Sequence, residues 1–91
     1  MRVQWSSKAL SDVVRLHEFL ASANAPAAAR IVKTLVGVQA ELVAHPRIGE
    51  RIEEFDPREV RRIQVGHYEM RYDIRDSTIT ILRIWHTREE R

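Results

Sequence analysis

The residues best suited to chemistry lie near the end of this chain. His86 closes the apolar run Ile79 to Trp85, and Arg88 and Arg91 follow it. An imidazole exchanges protons near neutral pH. A guanidinium two residues on is a planar fork for phosphate or carboxylate. Trp85 stands beside them, and Arg61 and Arg62 form a second basic pair upstream. Each residue also has a plainer reading. His86 at a strand end can bond the backbone, and Arg88 and Arg91 can be solvated tail charges. Arg58, Arg61 and Arg62 lie near Glu53, Glu54 and Glu59 and can form a mutually paired surface. The histidines, at 17, 45, 67 and 86, show no ligand spacing, and the glycines, at 37, 49 and 66, form no phosphate loop. Neither a metal nor a cofactor is therefore expected.

Composition narrows the field further. Thirteen of the fifteen cations are Arg, yet the net charge is only +2. This permits an anionic partner without requiring one, and a GC-rich genome accounts for the Arg excess equally well. The absence of cysteine excludes disulfides, thiol nucleophiles and thiolate metal sites. No run approaches the ~18 apolar residues needed to span a membrane. Met1 to Trp5 lacks the apolar stretch of a signal peptide, so a cytoplasmic protein without membrane contact is expected. With 91 residues, 44% of them hydrophobic, one folded domain over 1–91 is expected. A domain of this size hides only about 60–65% of its unfolded surface, so its stability margin is thin.

The elements that must position these residues follow from periodicity. Met1 to Trp5 alternates as a strand does, and Ser6 and Ser7 can cap a helix over roughly 7–22. Its apolar stripe reads Leu10, Val13, Val14, His17 and Leu20, which makes His17 an interface histidine. Pro26 suits the first turn of a second helix, with Ala28, Ile31, Leu35, Val38 and Leu42 on one face, ending near Ala44 before Pro46. His45 to Pro57 reads as a polar connecting loop. Val60 to Val65 is then a strand, Gly66-His67 a turn, and Tyr68, Met70, Tyr72 and Ile74 one face of the next strand. On that face Tyr68 and Tyr72 read as core residues. Asp76-Ser77 is a second turn. Thr78 to Trp85 is apolar on both faces, as a central strand is. The expected fold class is α+β, order β-α-α-β-β-β, a helical hairpin packed on a small antiparallel sheet, with the first strand at an edge.

Four local patterns carry a resemblance. Trp5-Ser6-Ser7-Lys8-Ala9 places an aromatic before a small-residue helix start. Leu42, Pro46 and Gly49 make Leu-x-x-x-Pro-x-x-Gly. Arg61 to Tyr72 makes Arg-x-Ile-x-Val-Gly-x-Tyr-x-x-x-Tyr, and His86-Thr87-Arg88 makes His-x-Arg after the last strand. In this order, over nearly the whole chain, they resemble the RelE/ParE toxins of type II toxin–antitoxin systems. The resemblance implies a toxin neutralised by a cognate antitoxin in a hetero-oligomer. The antitoxin would bind through a segment that folds on contact and hold DNA through a ribbon-helix-helix half.

Within that superfamily, RelE-like members cut mRNA on the ribosome and ParE-like members inhibit DNA gyrase and serve plasmid stabilisation. Attack of a 2′-OH on RNA needs a base, cations at the phosphorane and an acid for the leaving oxygen. The RelE-like pattern puts Arg directly after Gly-x-Tyr and a Tyr after the last strand. Here Glu69 takes the first place and no Tyr follows Tyr72. A carboxylate there repels phosphate, so the expectation is a ParE-like gyrase inhibitor without catalytic residues. The alternative is a ribosome-dependent endoribonuclease using His86, Arg88 and Arg62, and a second alternative is a degenerate, non-toxic interaction module. Residues expected to bind the target lie at the C-terminal end of the sheet, Trp85, His86, Arg88 and Arg91, with Arg61 and Arg62 nearby.

Overall fold

The computed structural model describes residues 1–89. Strand β1 (Arg2–Trp5) leads into helices α1 (Ser7–Ala21) and α2 (Ala25–Ala44), followed by β2 (Glu50–Arg51), a 3-10 turn (Glu53–Phe55), β3 (Glu59–Val65), β4 (Tyr68–Arg75) and β5 (Thr78–His86). The sheet order is β1-β5-β4-β3-β2. It is antiparallel from β5 to β3, as expected, and β2 adds antiparallel to β3, but the helical hairpin returns the chain so that β1 lies parallel to β5. That places β1 at an edge and β5 inside the sheet.

Both helix starts follow from capping. Ser6 Oγ accepts from Ala9 N–H at 3.0 Å, and Asn24 Oδ1 accepts from Ala27 N–H at 3.0 Å. Pro26 sits in the first turn of α2, where its missing N–H costs nothing. Leu35, Val38 and Leu42 of α2 meet Met70, Tyr72, Ile79, Ile81 and Ile84 of the sheet in the main core.

Three expectations are corrected. The buried face of α1 is Ala9, Asp12 and Leu16, with Val13 and Leu20 half-buried; His17 is exposed, as are Leu10 and Val14 at 55% and 56%. The helix is turned toward the sheet edge because small Ala9 allows close approach and Asp12 bonds to β5. Second, residues 45–57 are not merely a connection. They contribute β2, which adds a fifth strand, and Ile52 is buried with its N–H donating to Val60 O at 2.8 Å. A two-residue pairing is too short to leave a period-2 signal.

Third, β5 does not owe its doubly apolar reading to its central place alone. Tyr72 pairs with Ile81 but Arg71 pairs with Arg83, so Leu82 is an inserted residue, a β-bulge. The bulge resets the alternation. Ile79 and Ile81 before it and Ile84 after it all face the helices, while Trp85 turns to the opposite face.

The two hairpin turns differ. Gly66 has φ +60° at the first turn position, which glycine adopts freely. Asp76 and Ser77 both have positive φ, 50° and 60°, the pattern of a type I′ turn. Aspartate tolerates the left-handed region, but serine carries a steric cost there. Ser77→Gly is therefore expected to raise stability by about 1 kcal/mol, read as an upward shift of the urea midpoint.

Candidate functional site

The open end of the sheet is built by α1, the start of β4 and the turn after β5. Beyond Ile81 the outer edge of β5 has no strand beside it, since β1 ends at Trp5. Side chains of α1 and its cap Ser6 take the place of a strand. Ser6 Oγ donates to Leu82 O at 2.9 Å, Ile84 N–H donates to Asp12 Oδ2 at 2.8 Å, and Arg15 Nη2 donates to Ile84 O at 3.2 Å. Asp12 also holds Arg83 through Oδ2 at 2.9 Å and Oδ1 at 3.2 Å. Burial alone would raise the Asp12 pKa. The hydrogen bonds from Arg83, the Ile84 N–H and Arg15 outweigh it and hold the carboxyl below its ordinary 3.8.

A group whose folded pKa is depressed stabilises the fold above its unfolded value, and this is lost as pH falls through the folded one. The chain is therefore expected to lose stability on acidification below about pH 4. Asp12→Asn should flatten that part of the curve, measured as urea midpoints between pH 7 and pH 3.

Next to this clamp lies a groove of about 560 Å³, lined by Arg15, Leu16, Phe19, Leu20, Tyr68, His86, Arg88 and Glu89. Phe19 is 76% exposed, the most exposed of the large apolar side chains described. The His86 ring meets Tyr68 edge-on at 5.2 Å and stacks with His67 at 6.0 Å. Its Nδ1 accepts from Arg88 N–H at 3.1 Å. Glu89 folds back over the groove. One carboxylate oxygen accepts from His86 N–H at 2.7 Å and the other pairs with Arg15. Burial, aided by Glu89, raises the Tyr68 pKa, so its hydroxyl stays protonated at neutral pH.

The residues expected to bind the target do not converge. His86 and Arg88 share the groove. Trp85 lies on the other face of the sheet, with Arg71 at 4.9 Å and Arg83 at 5.7 Å from its ring. Arg62 pairs with Glu50 at 3.2 Å, and the same pairing raises its already high pKa. Arg61 is largely buried, bonded to Glu59 at 2.9 Å and to Gly49 O at 2.7 Å, where it holds the loop between α2 and β2. Of the plainer reading, only the Arg61–Glu59 pair is observed, and it is largely buried; Arg62 and Arg58 pair with Glu50 and Asp73 instead. Arg91 lies outside the described residues. Tyr72 is core as expected, and Tyr68 is buried but also lines the groove. Glu69 forms an ion pair with Arg71 at 3.4 Å on the face away from the helices.

Asp12, Arg15, Phe19 and Glu89 were not legible as site residues. An aromatic at position 19, off the apolar stripe, was the one available signal. Nothing local indicated that Asp12 and Arg15 reach a strand some seventy positions later. Among the described residues no group of three or more His, Asp or Glu side chains is placed to hold a metal ion. No described helix is long and apolar enough to cross a membrane.

This fold recurs in a solved structure titled as the chromosomal ParDE TA system from P. aeruginosa. That chain is 21% identical, with a TM-score of 0.78 over 94% of this chain and 95% of the other. No curated protein matches the chain. The family described as the ParE toxin of the type II toxin–antitoxin system, parDE, matches residues 3–91, and the chain belongs to that family.

Proposed function

We propose that this toxin inhibits DNA gyrase in the cytoplasm, without nuclease chemistry of its own, and is neutralised by a cognate antitoxin. The observation that carries this reading is the state of the groove. Phosphodiester cleavage there would need a proton acceptor, unpaired cations and a donor for the leaving oxygen. His86 has its Nδ1 lone pair committed to the backbone. Arg15 is paired with Asp12 and Glu89, and the Glu89 carboxylate itself repels an incoming phosphate. Of the two cations of the nuclease alternative only Arg88 lines the groove; Arg62 is paired with Glu50 and is not among the lining residues. What remains is a surface for gripping a partner. Together with the departure at Glu69, this favours the ParE-like target over the ribosome and mRNA.

The test is direct. Purified toxin added to gyrase at equal or greater concentration is expected to inhibit supercoiling or to trap cleaved DNA. Unaffected turnover would overturn the reading. The ribonuclease alternative predicts codon-linked cuts by primer extension on mRNA from induced cells, lost in His86→Gln. A non-toxic module predicts unchanged growth on induction without the antitoxin. The antitoxin is expected to carry a ribbon-helix-helix DNA-binding half, checked by co-purification from the two-gene operon and binding to operator DNA.

A further inference from the structure

The Glu89 carboxylate sits in a ready-made receptor. Arg15 meets one of its oxygens and His86 N–H the other. Arg15 is itself fixed, since its second nitrogen donates to Asp12 at 3.3 Å and to Ile84 O at 3.2 Å. The receptor opens onto the apolar walls made by Leu16, Phe19, Leu20 and Tyr68. Arg88 adds a second cation at the rim, with no carboxylate partner among the described residues. The groove thus combines an apolar slot, a bidentate carboxylate seat and surplus positive charge. A partner segment complementary to it presents an apolar side chain next to a carboxylate.

We infer that Glu89 is an internal stand-in for a carboxylate of the antitoxin, which displaces it from Arg15 and His86 N–H while an apolar side chain fills the slot beneath. This inference rests on the toxin–antitoxin reading for the identity of the occupant. The tether makes Glu89 a competitor at high effective concentration, so the site is open for only part of the time. Apparent affinity is the intrinsic affinity reduced by the open fraction, and removing the stand-in must strengthen binding.

The probe is 3-phenylpropionate, an apolar ring with a carboxylate, titrated into the full chain and followed by backbone amide shifts. Its neutral analogue 3-phenylpropanamide serves as control. The carboxylate is expected to shift Leu20, Tyr68 and His86 and to bind more tightly than the amide. Glu89→Ala, a change in the turn after β5 and outside the core cluster, should lower the Kd at least about threefold. Arg15→Gln should erase the preference for carboxylate over amide. Adding the antitoxin should release the probe. An unchanged Kd in Glu89→Ala, equal binding of acid and amide, or probe and antitoxin bound together would each overturn the inference. Growth arrest on induction tests the toxin reading separately, and its result does not enter the probe comparison.

Discussion

Asp12→Ala is expected to destabilise the fold by about 2–4 kcal/mol. Asp12 is 4% exposed and its carboxylate serves four donor atoms of three residues, Ile84, Arg83 and Arg15. Truncation leaves the Ile84 N–H buried without an acceptor, which alone costs about 1–3 kcal/mol. It also strands two guanidinium groups. Those are 43% and 45% exposed and can take up water, so the loss falls short of the full cost of breaking a buried pair. For a chain this small the loss is a large share of total stability, which is about 5–15 kcal/mol for ordinary domains. It also bares the edge of β5 beyond Ile81, so the variant should aggregate more readily. Urea unfolding checks the first point and light scattering the second. Asp12→Asn keeps an acceptor for Ile84 and should lose about half as much. A loss under ~1 kcal/mol in Asp12→Ala would mean that this clamp is not what fixes α1 against the sheet.

Gly49→Ala is expected to cost about 2–3 kcal/mol. A Cβ at this position would stand 2.7 Å from Arg62 O in the β3 backbone and 2.7 Å from the Tyr72 hydroxyl. Neither can yield without breaking bonds. Gly49 N–H donates to the Tyr72 hydroxyl at 2.9 Å, and that hydroxyl donates to Pro46 O at 2.9 Å. Gly49 O accepts from Arg61 at 2.7 Å. The loop must lift and loosen all of these together. Tyr72→Phe removes the hydroxyl and should cost about 1–2 kcal/mol by itself. Combined with Gly49→Ala it relieves one of the two clashes, so the double variant should cost less than the sum of the singles. Gly37 is the contrast, with nothing within 4 Å of its would-be Cβ in the middle of α2. Gly37→Ala is expected to stabilise by about 0.5–1 kcal/mol. Urea midpoints of the four variants decide the matter, and a neutral Gly49→Ala would show that the loop is free to move.

Much of this protein was legible along the chain because its signals are local. The caps at Ser6 and the turn at Pro26, the periods of α2 and β4, and the turns at residues 66 and 76 each depend on neighbours a few positions away. The family resemblance is likewise a set of short patterns in order. The face of α1 and the phase of β5 were not legible, because tertiary bonds set them. Asp12 is a buried charge tolerated only because Ile84 and Arg83 meet it, and its need for those partners turns the helix so that His17 and Val14 face water. Leu82 is an insertion whose effect shows only when Arg71 and Tyr72 are paired across from it. The scatter of the expected site has the same cause. Trp85 and His86 are adjacent in sequence, and the pleat of a strand sends neighbours to opposite faces. Residue type and order thus determined the family and every element except β2 and the 3-10 turn after it. Only the packing of α1 against the open edge of β5 decided that Arg15, Phe19 and Glu89 join His86 in one groove, and that most of the described arginines bind the protein's own carboxylates.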